Sequence, residues 1–163
     1  MIYHKHLLVN AKIHNPVKSE KEGIDFLINL VDSIDMKIIK GPFASYVNVE
    51  GNRGLTGIVM IETSHIAFHI WDEVRPGLIQ FDLYTCGQLE LNKVLSKFKE
   101  TFDVDTLDYI LFDRENGFKI EAEGQIMTEA KIPGYKQNPP DWCDDCNAAP
   151  GGECPDCGCT HNC

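Results

Sequence analysis

Residues 62–73 read Glu62-Thr63-Ser64-His65-Ile66-Ala67-Phe68-His69-Ile70-Trp71-Asp72-Glu73. The run before them, Leu55 to Ile61, is almost wholly apolar and predicts a buried strand. Beyond Ser64, apolar residues alternate with polar or small ones, which predicts a second strand with one buried face. The two strands would therefore meet at the Thr63–Ser64 junction, where a hydroxyl lies close in sequence to two histidines.

This alternation limits which of the reactive groups can meet. It places Ser64 and His69 on opposite faces of the second strand. The two side chains can meet only if the chain bends at the Thr63–Ser64 junction, and a strained turn at a functional site would supply such a bend. His65 and His69 are both possible bases, and His65 is equally open to a packing role.

The rest of the chain predicts an α+β fold. Further strands are predicted at 5–13, 36–49 (bent at Gly41-Pro42), 78–85, 107–112 and 118–122, and amphipathic helices at 20–34 and 89–102. Ser19 and Glu22 form a candidate capping box for the first helix, and Asn116-Gly117 predicts a hairpin turn. This order predicts a two-layer sandwich, an antiparallel sheet with helices on one face, followed by a short Cys-rich C-terminal tail. We expect the body to span 1–133 and the tail 134–163.

Composition argues against several function classes. The chain has 163 residues and a formal net charge of -10, and without a basic patch it is not expected to bind nucleic acid. Its apolar runs fall short of the roughly 20 residues that a membrane span needs. The N-terminus lacks the pattern of a signal peptide, so we expect a cytoplasmic protein with reduced thiols.

The reactive residues recur at spacings that resemble the prokaryotic type of S-adenosylmethionine decarboxylase proenzyme. The resemblance covers about residues 5 to 120 and rests on Thr56-Gly57, Ser64-His65, His69, Trp71, Glu73 and Asp82-Leu83-Tyr84-Thr85-Cys86-Gly87. It implies that the chain cuts itself: the Ser64 hydroxyl attacks the Thr63 carbonyl, and the ester that forms is then eliminated. The products would be a chain of residues 1–63 and a chain that begins with a pyruvoyl group at position 64. By the same resemblance, Thr56 and His69 serve this processing.

The resemblance also assigns residues of the mature enzyme. The pyruvoyl ketone would form a Schiff base with the amine of S-adenosylmethionine and accept electrons as CO2 leaves, for spermidine synthesis. Cys86 matches the proton donor and Glu73 the acid that binds the ribose. Val49 aligns near the aromatic residue that stacks on adenine, and Tyr46 is the nearest aromatic. Relatives place this site at or near a dimer interface, so a homodimer is expected.

Other readings remain open beside this one. The family usually has Glu before the serine; here Glu62 lies one place earlier, so a cut before Thr63, leaving an α-ketobutyroyl group, is an alternative. Arginine or ornithine is an alternative substrate for the same pyruvoyl chemistry. A non-catalytic relative that binds metal or a partner through the tail is a third reading. His4, His6 and His14 are taken as ordinary surface histidines.

The tail holds six of the seven cysteines, between Cys143 and Cys163. Two Cys-x-x-Cys pairs have the spacing of a structural zinc site, and the predicted ligands are Cys143, Cys146, Cys154 and Cys157. A disulfide-linked tail, an iron–sulfur site and a disordered thiol-rich end are the alternatives.

Overall fold

Seven strands and two helices make up the computed structural model, which describes residues 3–127. In chain order they are β1 (Lys5–Ile13), α1 (Glu20–Ser33), β2 (Ile38–Val47), β3 (Gly54–Ile61), β4 (Ser64–Trp71), β5 (Gly77–Thr85), α2 (Leu91–Thr101), β6 (Val104–Asp113) and β7 (Lys119–Met127). The predicted tail and its four cysteine ligands lie outside the described residues. In the part of the chain that is described, neither helix is long and apolar enough to cross a membrane.

The strands form one antiparallel sheet in the order β2-β3-β4-β5-β1-β6-β7. Alternate strand residues point to one face, where they pack with the apolar sides of both helices in a single core. Phe26 of α1 lies at its centre, and its ring meets Phe68, Phe81 and Phe98 edge to face. The predicted two-layer α+β sandwich is confirmed, since the alternation in each strand is satisfied by covering one face.

Two local predictions were wrong in physically informative ways. Strand β3 is buried on one face only: Ile58 and Met60 are 45% and 47% exposed because none of residues 3–127 forms a layer over the other side of the sheet. Ser19 is the N-cap of α1, but its side chain makes no capping hydrogen bond. The Glu20 carboxylate instead accepts the backbone N–H of Tyr46 at 3.0 Å, which ties the start of the helix to β2.

The face of the sheet opposite the helices, here called the open face, carries the reactive side chains. It contains a shallow cavity of about 640 Å³ whose lining includes Thr56, His69, Gln80 and Asp82. The apolar residues of this face are half-buried or exposed rather than packed. The sheet therefore presents a surface that combines apolar area with ionisable groups.

Candidate functional site

The turn between β3 and β4 strains the bond that was predicted to break. Ile61 pairs with Ser64, so only Glu62 and Thr63 form the hairpin turn. Ser64 has a φ of +147°, a region that residues with a side chain rarely occupy. Such a conformation costs on the order of 1–3 kcal/mol and marks functional positions more often than ordinary turns.

The carbonyl before Ser64 is held by a neighbouring strand end. The backbone N–H of Cys86 donates to the Thr63 carbonyl oxygen at 2.9 Å, and Thr85 pairs with Ser64 across the β4–β5 ladder. An N–H donor fixed on a carbonyl stabilises the negative charge that develops when a nucleophile attacks it. Cys86 is a free, half-buried cysteine, and this backbone hydrogen bond places it next to the Thr63–Ser64 bond.

The imidazole that contacts the serine belongs to His65. Its Nδ1 lies 3.1 Å from Ser64 Oγ, and its Nε2 lies 3.1 Å from the Asp82 carboxylate. The other Asp82 oxygen lies 2.6 Å from His6 Nε2. Arg114 Nη1 is 3.2 Å from His6 Nδ1. The strained serine is thus one end of a hydrogen-bonded chain of side chains that runs through His65 and Asp82 to His6 and Arg114.

His69 takes part in a separate pair. Thr56 lies opposite it in the β3–β4 register, and the Thr56 hydroxyl is 2.5 Å from His69 Nδ1. The ring also packs against Trp71, with centroids 3.9 Å apart. Burial lowers the pKa of His69, and its Nε2 is buried without a hydrogen-bond partner among the described residues. Burial therefore favours the neutral form of the ring.

The predicted site residues consequently form two groups within one chain. Ser64 and His69 are five residues apart on β4, which corresponds to about 16 Å at roughly 3.3 Å per residue. The bend expected at the Thr63–Ser64 junction is present as a hairpin turn, but it does not bring His69 to Ser64. One group, with Thr63, Ser64 and Cys86, lies at the turn; Thr56 and His69 lie toward the other end of the strand.

The residues predicted to bind the nucleoside also lie at that other end. Glu73 accepts the backbone N–H groups of Gly51 at 2.8 Å and Arg53 at 3.3 Å, so its carboxylate orders the loop between β2 and β3. Val49 lies on the same loop with its side chain 58% exposed. The Tyr46 hydroxyl donates to Asp72 at 2.8 Å rather than facing solvent freely.

Asp72 is a buried carboxylate that sequence reasoning did not single out. Burial by itself would raise its pKa, but hydrogen bonds from Arg53, Tyr46 and Lys18 outweigh that effect and hold the pKa at about 2. The Arg53 Nε contact is 2.6 Å and the Lys18 Nζ contact 3.1 Å. This cluster joins the end of β4 to β2, β3 and the segment before α1, and its role is structural.

His6, Asp82 and Arg114 were the other residues missed as candidates. His6 was taken as an ordinary surface histidine, and Asp82 only as part of a motif. Asp82 lies opposite Leu8 on β1 and Ala67 on β4, so histidines two places along each neighbouring strand are within diagonal reach. Only the strand order and register, which a single sequence does not reveal, could have identified the group.

The fold and the site together define an α+β sandwich with a strained, hydrogen-bonded serine at a hairpin turn. Comparison with known proteins identifies the family to which a protein of this class belongs. Residues 5–115 match the family model described as S-adenosylmethionine decarboxylase. Because that match covers more than half of the chain, the chain belongs to the S-adenosylmethionine decarboxylase family.

Individual relatives agree with this assignment. The chain is 37% identical over 62 residues to an S-adenosylmethionine decarboxylase proenzyme of Archaeoglobus fulgidus, over 37% of this chain and 54% of that protein. It is 29% identical over 109 residues to one of Bacillus velezensis, over 62% of this chain and 85% of that protein. For one of Picrophilus torridus the identity is 47% over 80 residues, 48% of this chain and 54% of that protein. The chain thus spans about half the length of two of these three relatives.

Proposed function

We propose that the chain is a self-processing, pyruvoyl-dependent decarboxylase that converts S-adenosylmethionine to its decarboxylated form for spermidine synthesis. The observation that carries the proposal is the conformation of Ser64. Its φ of +147°, the imidazole on its hydroxyl and the N–H on the preceding carbonyl are the elements that an acyl shift requires. The relatives described above, all S-adenosylmethionine decarboxylase proenzymes, support the same conclusion.

Processing would begin at the strained bond. Ser64 Oγ attacks the Thr63 carbonyl carbon, and the Cys86 N–H stabilises the oxyanion that forms. Breaking the Thr63–Ser64 amide leaves an ester and relieves the positive φ, which contributes part of the driving force. Loss of the Ser64 α-proton then breaks the ester, which releases residues 1–63 with a free carboxylate and leaves dehydroalanine at position 64. Water hydrolyses the dehydroalanine, ammonia leaves, and a pyruvoyl group remains.

The residues around position 64 fit the mature group. A pyruvoyl ketone supplies an electron sink for the loss of CO2 from a bound amine. Cys86 adjoins this position, because its backbone N–H already reaches the Thr63 oxygen. The Cys86 side chain ends in a thiol, a group that can donate a proton, so a cysteine at this position suits the protonation of the substrate carbon.

The second group of site residues leads us to propose a homodimer. His69, its β3 neighbour Thr56, and Glu73, which follows β4, are too far from the hairpin turn to act on Ser64 of the same chain. A second copy related by a twofold axis, with its open face against this one, would place its β4 end beside this hairpin turn. Half-exposed apolar residues such as Leu8, Ile58 and Met60 and the cavity that Leu8 lines suit the packing of two sheets.

Mixed dimers test the shared site. Ser64→Ala and His69→Ala chains, distinguished by a tag, would be expressed separately and together. Neither variant should cleave alone, but the His69→Ala chain should be cleaved in the mixture, because its serine can use His69 of the partner. Cleavage of His69→Ala alone would show that His69 has no part in processing. No cleavage in verified mixed dimers would contradict the shared site.

Substrate choice needs a direct assay. Release of CO2 would be measured side by side with S-adenosylmethionine, arginine and ornithine, using processed protein. The proposal predicts turnover of S-adenosylmethionine only. Turnover confined to arginine or ornithine would keep the pyruvoyl chemistry but overturn the substrate.

A further inference from the structure

We infer that His65 is the base of the first processing step, and that Asp82 and His6 hold its ring in the reactive tautomer. This inference rests on the proposed self-cleavage and names the group that starts it. The side chains of Ser64, His65, Asp82 and His6 are joined end to end by hydrogen bonds. The hydrogen-bond distances are 3.1 Å from Ser64 to His65, 3.1 Å from His65 to Asp82 and 2.6 Å from Asp82 to His6.

The tautomer follows from what each group can donate. An ionised aspartate only accepts hydrogen bonds, so the Nε2 of His65 carries the proton that lies against Asp82. The Nδ1 of a neutral His65 is then a lone pair, and the hydroxyl of Ser64 donates to it. A serine that donates to a ring nitrogen fixed by a carboxylate is arranged for deprotonation.

The tautomer of His6, on the other side of Asp82, is fixed in the same way. His6 donates from Nε2 to the second Asp82 oxygen, which leaves its Nδ1 as an acceptor. Arg114 Nη1 donates a hydrogen bond to that nitrogen at 3.2 Å. The Arg114 guanidinium lies over the Tyr84 ring, 4.5 Å from its centroid. Every donor in the chain therefore has an acceptor when both histidines are neutral, and Asp82 has little freedom to turn away from His65.

The step balances without an outside proton. His65 Nδ1 takes the proton of Ser64 Oγ as the oxygen bonds to the Thr63 carbonyl carbon. Asp82 stabilises the imidazolium. When the bond from that carbon to the Ser64 nitrogen breaks, the imidazolium returns the proton to the nitrogen, which leaves an ester and a free amine. The His65 ring is already in contact with the Ser64 hydroxyl at 3.1 Å, so we assign this first transfer to His65.

Hydroxylamine separates the first step from the later elimination, because it cleaves an ester but not the amide. Chains made by cell-free translation would be followed by mass spectrometry with and without hydroxylamine. In His65→Asn, which retains a polar atom near the Nδ1 position but no base, ester formation should slow by about 10²- to 10⁴-fold. Asp82→Asn should also slow it, and Asp82→Glu should recover part of the rate. His14→Asn, a matched change whose partner is Asp105, should process normally.

The outcomes distinguish the inference from the proposed function. A folded wild-type chain that never cleaves and never yields to hydroxylamine would overturn the proposed function itself. If wild type cleaves and His65→Asn forms the ester at the wild-type rate, the base is another group. Equal rates for Asp82→Asn and Asp82→Glu would refute the positioning role. His65→Gln, checked by circular dichroism, serves as the second variant if His65→Asn does not fold, and it is expected to show the same loss.

Discussion

The contribution of Asp72 to the free energy of folding can be predicted from its contacts. Its side chain is fully buried against Arg53 and Lys18, and its pKa is about 2, compared with the ordinary 3.8. A difference of nearly two pKa units at about 1.4 kcal/mol each corresponds to about 2 kcal/mol of folding free energy at neutral pH. Because the folded-state pKa is depressed, this contribution is present above about pH 4 and is lost as the pH falls toward about 2.

The assay is urea unfolding of the Ser64→Ala chain, a variant chosen so that a single uncut species is measured. The free energy of unfolding would be compared at pH 7 and pH 3, with and without Asp72→Asn. The Asp72→Asn chain should be less stable at pH 7 by at least about 2 kcal/mol, and its stability should fall less between the two pH values. An unchanged fall on acidification would refute the depressed pKa. An unchanged stability at pH 7 would refute the structural role.

Three further predictions concern processing, chemistry and the tail. Thr56→Val removes the hydroxyl that holds His69 and should slow self-cleavage about five- to tenfold, the equivalent of roughly 1 kcal/mol. Gel electrophoresis would follow the cleavage. An unchanged rate would contradict the role of the Thr56–His69 pair. Cys86→Ser should still cleave itself, since residue 86 contacts the scissile carbonyl through its backbone N–H. Its rate of CO2 release should fall by about 10²-fold or more. Loss of self-cleavage would instead place the thiol in processing. The purified full chain should contain one zinc per chain by elemental analysis, lost in Cys143→Ser/Cys146→Ser; no metal in either protein would contradict the zinc site.

Much of the architecture could be predicted from the sequence because strands and helices differ in the period of their apolar residues. The alternation around Phe68 and Phe81 located β4 and β5, and Asn116-Gly117 marked a turn at which Gly117 has a φ of +93°. Which face of β3 remained open could not be inferred, since an apolar run such as Leu55 to Ile61 does not reveal whether one face or two are covered.

The site was predictable only in part, for a related reason. Spacing and family resemblance indicated Ser64 and Cys86, and the structure brings them together at the turn. Those signals contain no distances, so they could not show whether the bend expected at the Thr63–Ser64 junction would bring His69 to Ser64. They also gave no reason to connect His6 with Asp82, a contact between separate strands that depends on register.

The intact mass of the purified full chain tests the central claim most directly. The account predicts two fragments: residues 1–63, and a second chain beginning at position 64 that is lighter than its serine form by one ammonia, as expected for a pyruvoyl group. Ser64→Ala should give a single uncut mass. A folded wild-type protein that stays full length, or a Ser64→Ala chain that is still cut between 63 and 64, would contradict the account.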